Sequence, residues 1–242
     1  MLSGRVVLVT GGSGGIGAAL CRRLADEGMA VAVHYRDRAE LAQAIVDDIN
    51  GRGGRACAIA ADLLVPRASE LLVDAVEGEL GPVEVLVANH GLAHRGTFDE
   101  IDAGAWDETM AINLRAPYLL ARRVLPGMRD RAWGRVLFVS SVAGFTGGIV
   151  GPHYAASKAG LHGLTHHLAS RVAEAGITVN AIAPALIENT DMLPDDPGFL
   201  ARAIPVGRMG RPAEVADMAV AMLRNEYLTS KVIALDGGMH PR

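Results

Sequence analysis

A tyrosine and a lysine stand four residues apart in the run Tyr154-Ala155-Ala156-Ser157-Lys158. Helical period would place both side chains on one face of a helix. Lysine is rare in this chain, with Lys158 and Lys231 as its two examples, so a chance pairing is a weak explanation. An adjacent ammonium lowers the pKa of a phenol from its usual value near 10, which lets the phenol exchange a proton closer to neutrality. The pair therefore predicts a general acid or base, with an ordinary surface pair as the alternative.

Polar residues also follow several of the apolar runs that predict strands. Ser141 follows the run 135–140 and precedes Tyr154 by thirteen residues, and Asn89 follows the run 83–88. Sites in parallel sheets form outside the carboxyl ends of the strands, so we expect these side chains to meet at one edge. Taken singly, Thr10, Asn89 and Ser141 could instead be caps that satisfy loop backbone.

A glycine-rich turn follows the first apolar run, with the sequence Thr10-Gly11-Gly12-Ser13-Gly14-Gly15-Ile16-Gly17. Glycines let the backbone turn tightly and approach a pyrophosphate, while the N–H groups and dipole of the following helix favour an anion. The spacing is GxxxGxG rather than GxGxxG. The turn predicts a dinucleotide site, and a merely flexible turn is the alternative.

The end of the second predicted strand indicates which dinucleotide binds. An acidic residue there would accept hydrogen bonds from the adenosine ribose, but the chain continues Val33-His34-Tyr35-Arg36. A guanidinium at Arg36 could bind a 2′-phosphate, so the sequence favours NADP. Asp37 and Arg38 complicate this interpretation, and a solvated loop charge at Arg36 is the alternative.

Short β-branched runs alternate with longer segments of helical period along the whole chain. This alternation predicts an α/β fold, a Rossmann-type doubly wound three-layer sandwich with a seven-stranded parallel sheet. We expect residues 1–242 to form a single domain, with a mobile substrate lid at about 184–212 where prolines interrupt the pattern. The predicted strands are 5–9, 30–34, 55–60, 83–88, 135–140, 177–182 and 231–235, and the predicted helices are 16–27, 39–50, 68–80, 106–125, 154–174 and 213–223.

Composition excludes several function classes. The 242 residues are half hydrophobic, and 27 acidic against 23 basic side chains give a net charge of −4, which does not suggest a nucleic-acid partner. No apolar run is long enough to predict a membrane span. Cys21 and Cys57 form neither a disulfide framework nor a metal-binding pattern, so we expect no metal and a reducing, cytoplasmic location.

These motifs together resemble the short-chain dehydrogenase/reductase family in its single-domain form, over essentially the whole chain. The resemblance rests on Thr10–Gly17, on Asp62 in Ala61-Asp62-Leu63, and on Tyr154 with Lys158. It implies a catalytic tetrad of Asn113, Ser141, Tyr154 and Lys158. The cofactor-binding residues that it implies are Thr10, Gly11, Ser13, Gly14, Gly15, Ile16, Gly17, Tyr35, Arg36, Asp62, Leu63, Asn89, Gly91, Tyr154, Lys158, Pro184 and Ile187.

Within the family, the chain is most similar to 3-oxoacyl-[acyl-carrier-protein] reductases, on segments 180–184, 205–208 and 236–239. The resemblance implies reversible hydride transfer with NADPH, in which Tyr154 protonates the carbonyl oxygen, Ser141 hydrogen-bonds it and Asn113 positions a water. The substrate expected is a 3-oxoacyl thioester of acyl carrier protein or coenzyme A. Another ketone or alcohol, such as a polyketide, sugar or steroid, is the alternative, and a non-catalytic NADP-binding sensor is the remote one.

The chain departs from the family pattern at two positions. His90 follows Asn89 where a small residue is usual, and Ala185 follows Pro184 where glycine is usual. His94, His153 and Ala185 are the predicted substrate residues. Docking an acidic carrier protein would need basic residues beside the site. Arg129, Arg131 and Arg171 are the candidates, although solvated charges on a helix face are the favoured interpretation of all three. The resemblance also implies a homotetramer or homodimer.

Overall fold

The computed structural model describes residues 1–190, 202 and 204–240. Seven parallel strands form one sheet in the order β3-β2-β1-β4-β5-β6-β7. The predicted doubly wound parallel sheet is therefore confirmed. The strands are β1 Val6–Thr10, β2 Ala30–Tyr35, β3 Arg55–Ala60, β4 Val83–Ala88, β5 Gly134–Val139, β6 Ile177–Pro184 and β7 Val232–Leu235.

Helices cover both faces of the sheet. Alternate residues of each strand point to opposite faces, so Leu8 packs into one apolar layer and Val7 and Val9 into the other. Helices α3, α5 and α7 cover the first layer, and α1, α2 and α8 cover the second. The helices are α1 Gly15–Asp26, α2 Ala39–Gly51, α3 Pro66–Leu80, α4 Ala103–Met110, α5 Ala116–Asp130, α6 Ala143–Thr146, α7 Pro152–Val172 and α8 Pro212–Arg224.

The single helix predicted over 106–125 is wrong in detail. Helix α4 ends at Met110, a π-helical turn spans Ala111–Arg115, and α5 follows directly. Pro117 supplies a physical reason, because it has no N–H with which to continue the α-helical ladder to the carbonyl of Asn113. Such π-turns often mark functional sites, and this one carries Asn113.

Prolines explain two other boundaries. Helix α3 begins at Pro66 and α7 at Pro152, each two residues before the predicted start, because proline suits the first helical position. The short helix α6 was not predicted. No helix among the described residues is long and apolar enough to cross a membrane.

The predicted lid begins and ends beside the sheet edge. Ile187 and Gly210 form an isolated parallel bridge, and the Gly210 N–H donates to the Leu186 carbonyl. The Ala185 N–H donates to the Leu235 carbonyl, which extends the β6–β7 pairing. The residues at the two ends of the segment are therefore held beside the sheet edge by backbone hydrogen bonds. Its central residues, 191–201 and 203, lie outside the described residues.

Candidate active site

A cavity of about 740 Å³ opens at the carboxyl edge of the sheet, where the strand order changes direction between β1 and β4. This is the position at which doubly wound sheets bind ligands. The predicted residues that line it are Gly11, Ser13, Gly14, Gly15, Ile16, Gly17, Arg36, Asp62, Leu63, Asn89, Gly91, Ser141, Tyr154, Lys158, Pro184, Ala185 and Ile187. Most of the predicted site is thus brought to one cavity.

The glycine turn is packed too closely for other residues. Gly11 has a φ of +63°, a conformation that other residues rarely adopt. A Cβ at Gly17 would overlap the Gly11 carbonyl oxygen, and one at Gly15 would overlap the Asn189 carbonyl oxygen. Helix α1 begins at Gly15, so its first N–H groups face the cavity rim. This bare cradle has the form that a pyrophosphate requires.

His34, which the sequence analysis did not assign to the site, holds the glycine turn from the side of β2. Its Nδ1 accepts from the Gly11 N–H at 3.0 Å, and its Nε2 lies 3.0 Å from the Ala61 carbonyl oxygen. Because a carbonyl can only accept, Nε2 carries the proton and the ring is neutral. Burial lowers the pKa of His34 to about 4, which is consistent with that assignment. Its position at the carboxyl end of β2 was the feature of the sequence that could have assigned His34 to the site.

Because the folded protein keeps the His34 ring neutral, we expect the free energy of unfolding to fall in acid. The unfolded chain protonates His34 near pH 6.5 and the folded chain near pH 4, so the unfolded state binds more protons in between. The free energy of unfolding should therefore fall by up to about 3 kcal/mol from this residue as the pH drops through that window. Urea unfolding at a series of pH values measures it.

The matched variants are His34→Asn and His167→Asn. An asparagine oxygen can replace Nδ1 as acceptor for the Gly11 N–H but does not titrate, so the acid-dependent loss should shrink in the first variant. His167 is exposed on α7, and its replacement should leave the loss unchanged. Equal pH dependence in His34→Asn and the unsubstituted protein would contradict the assignment.

Thr10 lies beneath the cavity rather than in its lining, which corrects its predicted cofactor contact. It is completely buried, and its hydroxyl lies 2.6 Å from Nδ1 of His90 and accepts from the Asn89 N–H at 3.1 Å. The Asn89 amide donates to the carbonyl oxygens of Thr10 and Gly11, both at 3.1 Å. Thr10 and Asn89 therefore fix the end of β1, and Asn89 also lines the cavity.

Ser141, Tyr154 and Lys158 converge at the other end of the cavity. Ser141 follows β5, and its side chain hydrogen-bonds Tyr154, a contact that lowers the Tyr154 pKa. Burial has the larger effect and raises that pKa above its ordinary value. Lys158 is buried one helical turn after Tyr154, with Nζ 5.6 Å from the centre of the tyrosine ring. The three side chains surround one small volume of the cavity.

The lowering of the Tyr154 pKa by Lys158 stays a prediction. Nζ donates to the Val139 carbonyl at 2.9 Å, and burial lowers the pKa of Lys158 itself to about 8. The ammonium is thus directed to the strand end while desolvation keeps the phenol protonated. A neutral phenol carries the proton that a general acid must donate.

Asn113 is absent from the cavity lining among the described residues. Its side chain is buried in the π-turn, where Oδ1 accepts from the Leu92 N–H at 2.7 Å. Nδ2 donates to the Leu92 carbonyl at 2.9 Å and to Ser157 Oγ at 3.1 Å. The side chain therefore supports the cavity wall, and its predicted role toward water stays a prediction.

Of the three predicted substrate residues, one lines the cavity and two do not. Ala185 lines the cavity, but His94 and His153 are not among its lining residues. His94 is half-exposed and pairs with Glu108 at 3.0 Å, while His153 is buried. Several lining residues could not be assigned from the sequence because they come from separate loops with no shared motif: Leu92, Arg95, Ile149, Val150, Met239 and His240.

One of the two residues at the end of β2 that were predicted to bind the cofactor lies outside the cavity lining. Tyr35 ends β2 outside the cavity lining, whereas the next residue, Arg36, lies within it. Nε of Arg36 pairs with Asp37 at 2.6 Å, and this hydrogen bond raises the Arg36 pKa. Both side chains are more than half exposed, so the guanidinium can exchange this partner for a phosphate at little cost.

The three arginines considered for a carrier protein lie at the opposite edge of the sheet. Arg131 donates to the carbonyl of Val83, the first residue of β4, and Arg129 donates to the carbonyl of Arg171. These positions are at the amino ends of the strands because α5 and α7 both run back from the cavity edge. The expectation that they stand beside the mouth is wrong for this chain.

The glycine cradle fits a dinucleotide, and the buried phenol beside Ser141 fits a carbonyl oxygen. A doubly wound sheet with these two features defines a nucleotide-dependent oxidoreductase. No group of three or more His, Cys, Asp or Glu side chains that could hold a metal ion occurs in the part of the chain that the structure describes.

Comparison with known proteins agrees with this class. The model of the short chain dehydrogenase family matches residues 5–197. The chain is 37% identical to a 3-oxoacyl-[acyl-carrier-protein] reductase of Vibrio cholerae, over 99% of this chain and 98% of that protein. It is 34% identical to an acetoacetyl-CoA reductase of Cupriavidus necator, over 98% of each.

A solved structure is similar over the same length. The crystal structure of a blue fluorescent protein from a metagenomic library, in complex with NADPH, has a TM-score of 0.93 and 35% identity and covers 99% of each chain. The chain therefore belongs to the short-chain dehydrogenase family. It is an oxidoreductase of the NAD(P)-dependent kind that acts on alcohols and carbonyl groups.

Proposed function

We propose that the protein reduces the ketone of a 3-oxoacyl thioester to the 3-hydroxyacyl form with NADPH. The observation that carries the proposal is the convergence of Ser141, Tyr154 and Lys158 on the cavity that also contains the glycine turn. The relatives that reduce a 3-oxoacyl thioester and acetoacetyl-CoA support this substrate class. The similar structure in complex with NADPH supports the cofactor.

The glycine turn and the first N–H groups of α1 would hold the pyrophosphate, with Asp62 near the adenine and Arg36 at the 2′-phosphate. Bound NADPH supplies the hydride for the carbonyl carbon. Ser141 hydrogen-bonds the carbonyl oxygen as negative charge grows on it. Tyr154 Oη then gives its proton to that oxygen. Lys158 stabilises the resulting phenolate, because its buried charge is little screened.

The phenol is expected to be protonated when the carbonyl compound binds. Burial raises the pKa of Tyr154, so at neutral pH the hydroxyl keeps its proton and acts as an acid. Oxidation of an alcohol would need the phenolate at the start. The proposed reduction therefore uses the protonation state that the site favours.

Arg36 should determine the choice between the two nicotinamide cofactors. Replacing it with leucine removes a charge-assisted bond to a phosphate, worth about 1.5–3 kcal/mol, so the KM for NADPH should rise about 10- to 100-fold. The KM for NADH, which has no 2′-phosphate, should stay near its original value. Steady-state rates with both cofactors measure the effect.

Arg122→Leu is the control, because this exposed arginine of α5 is outside the cavity lining. It should change neither KM. The assignment fails if Arg36→Leu weakens NADPH and NADH equally, or if the unsubstituted protein already uses NADH better than NADPH.

The second candidate is reduction of another ketone, such as a polyketide, sugar or steroid. The cavity wall favours an apolar substrate, because Leu92, Ile149, Val150 and Met239 line it. Arg95 and His240 add polar groups, so a thioester with a short acyl chain is compatible with the same wall. We further propose that segment 184–212 closes over the substrate and that the protein is a homotetramer or homodimer.

The deciding assay follows NADPH and NADH consumption with acetoacetyl-CoA as a short 3-oxoacyl thioester. We expect oxidation of NADPH in preference to NADH. Turnover of a panel of other ketones without turnover of the thioester would transfer the assignment to the second candidate. NADPH binding without turnover of any carbonyl compound would favour the non-catalytic sensor.

A further inference from the structure

His90 occupies a position where the family pattern has a small residue, and its ring joins two parts of the site. Nδ1 lies 2.6 Å from the hydroxyl of Thr10 at the end of β1. Nε2 lies 3.0 Å from the Ile112 carbonyl oxygen in the π-turn. Because that carbonyl can only accept, Nε2 donates and Nδ1 accepts the Thr10 proton. One neutral imidazole therefore links the glycine turn to the π-turn.

The hydrogen bonds continue from the π-turn to the helix that carries the acid. Asn113, the next residue after Ile112, donates from Nδ2 to Ser157 Oγ at 3.1 Å. Ser157 Oγ donates in turn to the Tyr154 carbonyl at 2.8 Å. Thr10, His90, Asn113 and Ser157 are all buried, so water does not compete for these bonds.

A buried carbonyl at the π-turn needs a donor. Among the described residues, His90 is the side chain that supplies one to Ile112. A small residue at position 90 would leave that carbonyl without this bond and the Thr10 hydroxyl without its nearest acceptor. Losing such bonds is costly in the interior, and the turn would shift to recover them.

We propose that His90 is a positioning residue for carbonyl reduction. Through Ile112, Asn113 and Ser157 it fixes the first turn of α7, and so the place of Tyr154 relative to the glycine turn. His90 lines the cavity wall, but its two ring nitrogens are directed to Thr10 and Ile112. Its effect on the reaction therefore passes through Tyr154.

The test compares His90→Leu, His90→Gln and His90→Asn, with His167→Leu as the control on the exposed face of α7. A glutamine nitrogen can replace Nε2 as donor to Ile112, and an asparagine oxygen can replace Nδ1 as acceptor for Thr10. The measurements are kcat at saturating NADPH with a carbonyl compound that the unsubstituted protein reduces, and the Kd for NADP⁺. Thermal unfolding confirms that each variant is folded.

His90→Leu should lower kcat about 10- to 100-fold, because small misplacements of a catalytic group have effects of that order. The Kd for NADP⁺ should change less than about 3-fold, since His34 and Asn89 still hold Gly11. His90→Gln should restore most of kcat, and His90→Asn should not. If His90→Leu does not fold, the kcat of His90→Gln compared with that of His90→Asn decides whether His90 is a positioning residue.

A double variant tests the path itself. If His90 acts through Ser157, the double variant His90→Leu with Ser157→Ala should lose no more kcat than the single variant that has the larger loss. Losses that multiply would overturn the proposal. So would an unchanged kcat in His90→Leu, or recovery by Asn instead of Gln.

Hydrogen exchange gives a readout that does not need a substrate. Amides 155–158 at the start of α7 should exchange faster in His90→Leu than in the unsubstituted protein, and His90→Gln should restore their protection. Unchanged exchange in His90→Leu would overturn the inference. If no carbonyl compound is reduced, the proposed function fails while this measurement still decides the role of His90.

Discussion

Replacing Tyr154 with phenylalanine is expected to lower kcat by about 10²- to 10⁴-fold while NADPH still binds. General acid catalysis contributes an effect of that size, and the variant removes only the hydroxyl that carries the proton. Tyr154 is buried, and its side chain is hydrogen-bonded to Ser141. The measurements are NADPH oxidation with acetoacetyl-CoA and a fluorescence titration with NADPH.

Tyr227→Phe is the matched control, because this tyrosine is 98% exposed and lies outside the cavity. It should reduce at the original rate. Turnover of Tyr154→Phe near the original rate would exclude Tyr154 as the acid. Loss of NADPH binding together with turnover would show instead that the hydroxyl supports the cavity rather than the chemistry.

The second large effect is expected from Gly17→Ala. The added methyl would overlap the Gly11 carbonyl oxygen, and the next nearest atoms are also backbone, so no flexible side chain can give way. The start of α1 must then move away from the glycine turn. We expect a loss of about 3 kcal/mol or more in unfolding free energy and a weakening of NADPH binding by about 100-fold. Urea unfolding and the fluorescence titration measure the two effects.

Gly78→Ala is the control with the opposite sign. Gly78 lies inside α3, is exposed, and a Cβ there would meet no atom within 4 Å. Alanine in an exposed helix interior stabilises by about 0.5–1 kcal/mol relative to glycine, so this variant should be more stable and bind NADPH normally. Normal NADPH binding by Gly17→Ala would contradict the close approach of Gly11 and Gly17.

Both buried histidines should make the fold acid-sensitive, whereas His90 alone is proposed to position Tyr154. Burial lowers the pKa of His90 to about 3, further than that of His34, with smaller contributions from the charges of His34 and Lys158. Both rings act as neutral acceptors on one side and donors on the other. His34→Asn and His90→Gln should therefore each reduce the acid-dependent loss of stability, and His90→Gln also keeps the donor that supports the π-turn.

Local patterns in the sequence were sufficient to predict the elements and most of the cavity. A short β-branched run identifies a strand, and a period of 3.6 residues a helix, without knowledge of its neighbours. All seven strands lie within about two residues of the predicted runs. The glycine spacing and the Tyr154–Lys158 pair are equally local. Parallel strand order then brings Gly11, Ser141 and Tyr154 to one edge.

Contacts between distant segments could not be predicted in this way. Thr10 and His90 are 80 positions apart, and Asn113 and Ser157 are 44 apart. Whether such side chains meet depends on strand register, on the π-turn after Met110 and on the angle at which α7 packs. The burial of Thr10 beneath the cavity and of Asn113 in the π-turn could not be predicted for this reason.

The protonation state of Tyr154 and the placement of the Lys158 and Arg129 side chains were also decided by tertiary structure. The sequence by itself determined that a tyrosine, a lysine and a glycine cradle share one sheet edge, because their spacing and the elements that carry them are local properties. The packed fold decided that Lys158 is directed to Val139, that burial keeps Tyr154 protonated, and that Arg129 lies at the far edge. Burial and charge depend on every segment that surrounds a group, and only the complete fold brings those segments together.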